Sequence, residues 1–167
     1  MHLDAMGLTD VGLKRENNQD SFLVDQDLGL YIVADGMGGH QGGEVASQMA
    51  VETIRKVIQT SFSQDQGVDP AELLQRAYTQ ACREIYDQSM DNPDLKGMGT
   101  TVVTVLVRNE RLYIANVGDS RAYLVHAPHI WPITDDHSLL NEQLRSGIVK
   151  PEQIEQFNAK NVITRSV

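Results

Sequence analysis

The chain has 167 residues, 41% of them hydrophobic, with 14 basic and 23 acidic side chains, a net charge of −9 and one cysteine, Cys82. That length suits one domain with a real core, and the apolar fraction is too high for a disordered chain. The acid excess disfavours nucleic-acid binding, which needs basic clusters; the densest here are the pairs Lys14-Arg15 and Arg55-Lys56.

Other classes fall to simple patterns. The apolar runs Leu28–Ala34 and Thr101–Val107 are far shorter than the ~20 residues of a membrane span. Met1-His2-Leu3-Asp4 offers neither the basic nor the apolar region of a signal peptide. A lone cysteine forms no internal disulfide and suits a reducing compartment. A cytoplasmic protein with no membrane and no nucleic-acid partner is the expectation.

In chain order, Ser21–Asp25 and Gly29–Ala34 read as strands of a hairpin turning at Gln26-Asp27-Leu28. Gly42-Gly43 then opens a helix whose apolar face is Val45, Ala46, Met49, Ala50, Ile54, Val57, Ile58 and Phe62. A second helix starts at Asp69-Pro70-Ala71-Glu72, with Asp as N-cap, Pro in the first turn and Glu placed for a capping box. Its stripe is Leu73, Leu74, Ala77, Tyr78, Ala81, Ile85 and Tyr86, and Cys82 beside it is expected as a buried small hydrophobe. Asp91-Asn92-Pro93 ends that helix.

From Gly97 onward strands follow: Thr100–Val107, Arg111–Val117, Arg121–His126 and Ile130–Ile133. Asn109-Glu110 and Gly118-Asp119-Ser120 sit at the turns, and connections this short force antiparallel pairing. Thr101–Val107, almost unbroken in apolar character, is expected as a central strand covered on both faces. Leu139–Ser146 and Pro151–Phe157 are short helical patches, followed by Asn161–Thr164. Strands, two long helices and more strands give an α+β fold with antiparallel sheet and helices packed on it.

Three acids stand where a side chain reaches a cleft. Asp35 ends the run Leu30–Ala34 and opens Asp35-Gly36-Met37-Gly38-Gly39-His40; Asp119 follows Leu112–Gly118; Asp20 precedes the first strand. Mg2+ and Mn2+ take carboxylate, carbonyl and water oxygens, and glycine beside an acid lets backbone carbonyls approach. Any one of these acids alone is better read as a turn cap. A dinucleotide-binding loop does not fit: Gln41 stands where the third glycine belongs, and Asp35 would repel a pyrophosphate.

Five segments in order then resemble the metal-dependent protein phosphatases, the type 2C serine/threonine family, in their compact bacterial form. They are Thr9–Phe22, Val33–His40 with Gly43–Ser47, Gly97–Thr101, Ala115–Arg121 and Thr134–Ser138. The resemblance implies a sandwich of two antiparallel sheets flanked by helices, with a binuclear Mn2+ or Mg2+ centre in a cleft at one end. By position, Asp35 bridges the two metals, the Gly36 carbonyl completes one shell, Asp20 acts through water, and Asp119 helps hold a third, weaker metal. Arg15 binds the substrate phosphate and His40 is the acid for the leaving oxygen. Residues 137–164 match the flap beside the cleft, and Gln19 stands where many relatives have an acid.

The implied chemistry is hydrolysis of a phosphomonoester on a serine or threonine of a protein, with a Ser/Thr kinase as the opposing partner. A guanidinium suits phosphate oxygens bidentately, and an imidazole can protonate a leaving alkoxide. The family pattern carries two further metal aspartates beyond these segments, in a Ser-Asp-Gly turn and an Asp-Asn pair, and after Asp136 neither motif occurs and the only acids are Glu142, Glu152 and Glu155. Residues 1–167 thus read as the N-terminal portion of one catalytic domain, incomplete at its C-terminal side. A catalytically impaired fragment, a phosphoprotein-binding module and an assembly protein pairing exposed strand edges are the alternatives.

Overall fold

The computed structural model describes residues 3–39, 41–159 and 162–167. A hairpin of β1 (Asp20–Asp25) and β2 (Leu30–Met37) leads into α1 (Gly42–Gln64) and α2 (Pro70–Asp91). The chain returns as β3 (Gly99–Thr100), β4 (Val102–Arg108) and β5 (Arg111–Val117), then forms β6 (Tyr123–His126) and β7 (His129–Pro132). Helix α3 (Leu139–Arg145) and a 3-10 segment, Pro151–Gln156, follow. One antiparallel sheet runs β1-β2-β4-β5 with β3 also on β2, and β6-β7 form a second, two-stranded sheet. The α+β class and the antiparallel pairing agree with the sequence.

Alternation along the strands decides which face is buried. Leu30, Ile32 and Ala34 of β2, with Val102, Thr104 and Leu106 of β4, are buried on one face, in a core shared with Ala46, Ala50, Ile54 and Ile58 of α1 and Leu73, Ala77 and Ala81 of α2. Tyr78 crosses from α2, its hydroxyl donating to the Ala115 carbonyl at 2.9 Å and lying 3.0 Å from Thr104 Oγ1. Burial pushes that phenol up from its ordinary pKa. On the opposite face Phe22, Val33, Leu112 and Ile114 are exposed and Tyr31 and Val105 half-buried. β4 is thus interior in the sheet but only partly covered on its second face, against the expectation of full cover.

Two further expectations change. Cys82 is exposed, because it sits one position past Ala81, off the stripe that faces α1. The strand expected over Thr100–Val107 is interrupted at Thr101. Of the expected terminal element, Ile163 makes a lone antiparallel bridge to Ser138, and Asn161 lies outside the described residues.

The second helix begins as expected, with Asp69 accepting from the backbone N–H groups of Ala71 and Glu72, both at 2.9 Å. Asp69→Ala is expected to lower stability by about 1 kcal/mol in urea unfolding. An unchanged urea midpoint would show that the cap contributes nothing.

Candidate active site

The β1-β2 ladder sets two acids against each other. Asp20 opens β1 and lies directly opposite Asp35 of β2. Like charges at such a cross-strand pair are destabilising, since the side chains share one face a few ångströms apart. Loss of water around the Asp35 carboxyl, then the charge of Asp20 and a side-chain hydrogen bond with it, push the Asp35 carboxyl above the usual carboxylate range. Asp119 adds to the rise and Arg15 opposes it. Four of the residues singled out in the sequence therefore meet: Asp20 and Asp35 in contact, with Asp119 and Arg15 within electrostatic reach of Asp35.

Each is positioned by its own piece of chain. Arg15 is exposed on the loop before β1, where Gly12 N–H donates to Asp10 at 2.7 Å and Asp20 N–H to Asn18 at 3.0 Å. Asp119 follows Gly118, whose φ of +98° and close approach to Thr101 (an added Cβ would lie 2.6 Å from Thr101 Cγ2) both call for glycine. His137 grips this turn from the other side. Its Nδ1 accepts the Gly118 N–H at 3.2 Å and its own N–H donates to the Gly118 carbonyl at 2.9 Å. The ring therefore carries its proton on Nε2 in this arrangement. Arg121, two residues past Asp119, forks onto both oxygens of Asp136.

Gly36 is buried beneath the opening turn of α1 and donates its N–H to the Gln19 carbonyl at 3.0 Å. His40 lies outside the described residues. A cleft of about 220 Å³ contains Asp20, Asp35 and Ser120, with Thr9, Ser21 and Phe22 in its walls. A larger cavity, about 570 Å³, lies against the open sheet face and is walled mainly by Phe22, Val24, Val33, Val103 and Val105. It has one acid, Asp4, and no converging pair, so the smaller cleft is the candidate site.

A divalent cation suits the donor chemistry of the smaller cleft. Two touching carboxyls need either a shared proton or a cation, and both are hard oxygen donors. Among the described residues no three His, Cys, Asp or Glu side chains form a metal-holding cluster. Asp20 and Asp35 would thus supply only part of a coordination shell. Thr101 and His137 bind the site's backbone, at Asp35 and Gly118, and Ser120 bonds to the Thr101 hydroxyl, but the sequence assigns none of the three a role although all stand in the motifs.

The protein phosphatase 2C profile matches residues 13–145. The chain is 37% identical over 164 residues to the protein phosphatase PhpP of Streptococcus pneumoniae, covering 96% of this chain and 65% of that one. It superposes on the Mycobacterium tuberculosis serine/threonine phosphatase PstP/Ppp with a TM-score of 0.81 and 34% identity, over 93% of this chain and 63% of that one. A structure of the PstP catalytic domain in complex with 2 manganese ions gives a TM-score of 0.77 at 34% identity, over 93% and 62%. The chain spans less than two thirds of the length of these relatives. With the acid pair, the arginine and the glycine-bounded turn all inside the matched region, the chain belongs to the protein phosphatase 2C family.

Proposed function

We propose that this chain works in a metal-dependent phosphatase acting on phosphoserine and phosphothreonine of proteins, in the cytoplasm and opposite a Ser/Thr kinase. The observation that supports it most is the Asp20–Asp35 pair, an arrangement unfavourable to the fold that a bound cation relieves. Asp35 and Asp20 are the residues that would hold Mn2+ or Mg2+, with the Gly36 carbonyl and Asp119 as further donors. When bound, the metal supplies a water acidic enough to act at neutral pH and offsets charge on phosphoryl oxygens.

The remaining work falls to side chains. Arg15, on its exposed loop beside the acids, binds the phosphate oxygens through two parallel N–H donors. That loop is open to solvent, as a site for a phosphorylated protein segment requires. The proton for the leaving serine or threonine oxygen is assigned to His40 on its place in the motif.

Phosphate release from a phosphothreonine peptide and from p-nitrophenyl phosphate, with and without Mn2+, tests this reading. Mn2+-dependent release is expected, with Arg15→Ala raising KM for the peptide about tenfold or more through loss of a charge-assisted bidentate contact. Arg15→Lys should recover only part of that loss. Release indifferent to Mn2+, or none from a folded chain, would overturn the reading for this chain.

A further inference from the structure

The motif segment Gly97–Thr101 carries no titratable side chain. Its last residue stands where the sheet ladder is altered. Asp35 and Thr101 face each other across β2 and the returning chain. Thr101 N–H donates to the Asp35 carbonyl at 2.9 Å, as an antiparallel ladder requires. The reciprocal bond is different: Asp35 N–H donates at 3.0 Å to Thr101 Oγ1, the side-chain hydroxyl, where a ladder would use the Thr101 carbonyl. That carbonyl instead accepts the Thr100 hydroxyl at 2.8 Å. The substitution of a side chain for a carbonyl is why the strand breaks at Thr101.

The same hydroxyl has a second bond. Thr101 Oγ1 lies 2.6 Å from Ser120 Oγ, and Ser120 walls the acidic cleft one residue after Asp119. The methyl of Thr101 packs under Gly118, one residue before Asp119. Thr101 is 1% exposed, so water cannot readily replace either bond. One hydroxyl therefore ties the backbone of Asp35, on β2, to the turn after β5 that bears Asp119, two acids whose charges repel one another.

We propose that Thr101 is a positioning residue of the acidic site, setting the separation of Asp35 from the Asp119 turn through its hydroxyl. The inference rests on the metal reading of that site for its consequence, but not for its geometry. Valine matches threonine in shape and lacks the hydroxyl, so Thr101→Val leaves the Asp35 N–H without its acceptor. Thr101→Ser keeps the hydroxyl and removes only the methyl.

The test is Mn2+ titration of the 15N-labelled chain, following paramagnetic broadening of the Asp35 and Ser120 amides, with amide exchange measured on the metal-free protein. Groups that orient metal ligands typically change affinity about 10–100-fold when removed. Thr101→Val is expected to raise the Mn2+ needed for half-broadening at least about tenfold, with Thr101→Ser within about twofold of wild type. Ile32, in the middle of β2, should keep its exchange protection in both. An identical Mn2+ dependence in Thr101→Val and wild type overturns the proposal, as does equal loss of protection at Ile32 and Asp35.

If wild type shows no broadening at millimolar Mn2+, the metal reading fails on its own, and exchange decides the proposal. Asp35 then loses about tenfold or more in protection relative to Ile32 in Thr101→Val and regains it in Thr101→Ser, as removal of one buried hydrogen bond dictates. Unchanged Asp35 exchange overturns it.

Discussion

Replacing Asp35 by Asn is expected to abolish Mn2+-dependent phosphatase activity while making the metal-free protein harder to melt. Loss of one carboxylate from the cation-holding pair should lower kcat about a thousandfold, roughly 4 kcal/mol of barrier at 1.36 kcal/mol per decade. The stability effect runs the other way. The folded protein binds the Asp35 proton more tightly than the unfolded chain, because burial and Asp20 disfavour its ionised form. Stability of the metal-free protein therefore falls as pH rises from about 3.9, the ordinary aspartate value, through the raised value, and the deficit is complete above it. Asparagine keeps the shape and removes the charge. Thermal melts in a chelator from pH 4 to 8 should place the variant above wild type at pH 7, with the gap closing at the acid end. A variant melting at or below wild type at pH 7 sinks this account of the pair as a strained, cation-seeking arrangement, and with it the stability–activity opposition expected at active sites.

Gly36→Ala is the second large effect, and here fold and site fail together. A Cβ at this position would lie 1.9 Å from the Gly43 carbonyl oxygen, 2.4 Å from the Gly43 carbonyl carbon and 2.7 Å from the Gln19 carbonyl oxygen. All three are backbone atoms, so no side chain can turn aside. Relief requires the opening turn of α1 to lift off β2 at the residue next to Asp35. Overpacking that moves backbone sits at the costly end of its class, about 3 kcal/mol or more. For a chain of this size that is a fall of roughly 6–12 °C in Tm. Gly39→Ala, three residues on in the same run, is the control. An added Cβ there meets nothing within 4 Å, and a change within about 0.5 kcal/mol is expected. Equal Tm shifts for the two variants would show that the close approach of α1 to β2 is not what requires glycine at Gly36.

That contrast also marks how far the sequence could be read. The run Gly36-Met37-Gly38-Gly39 is a glycine-rich turn to any sequence reading, and nothing in it distinguishes the glycine under a helix from one in open space. The helices themselves were legible because each has an apolar stripe at 3.6-residue spacing and α2 has a strong cap in Asp69. The β1-β2 and β4-β5 hairpins were legible from alternation and short turns; the second even closes through Asn109 and Glu110 at φ +51° and +62°. Cys82 departs from expectation because one residue of helical rotation, about 100°, separates the buried Ala81 from the exposed position beside it.

The site was legible in part. Asp20, Asp35, Asp119 and Arg15 could be chosen because each is a charged residue at a strand end or loop inside a motif, and the structure brings their charges to bear on Asp35. The direct opposition of Asp20 and Asp35 was not legible, since register depends on the full hairpin and a slip of one residue reverses every face. Thr101 was hidden for a different reason. A threonine in an apolar strand looks like a β-former, and only tertiary pairing shows its hydroxyl standing in for a carbonyl.

The link between Thr101 and Asp35 joins residues 66 positions apart, across both long helices. The β1-β2 hairpin can close locally, but its own register brings Asp20 and Asp35 into repulsion with nothing to restrain them. The restraint arrives only after α1 and α2 have packed and the chain has come back to lay β4 beside β2, at the entropic cost of a long loop closure. The acidic cleft is therefore a late product of folding and an early casualty of local opening. Whatever loosens the β2-β4 ladder frees the two acids to separate before the helices have lost their core, so the site is less durable than the domain that bears it.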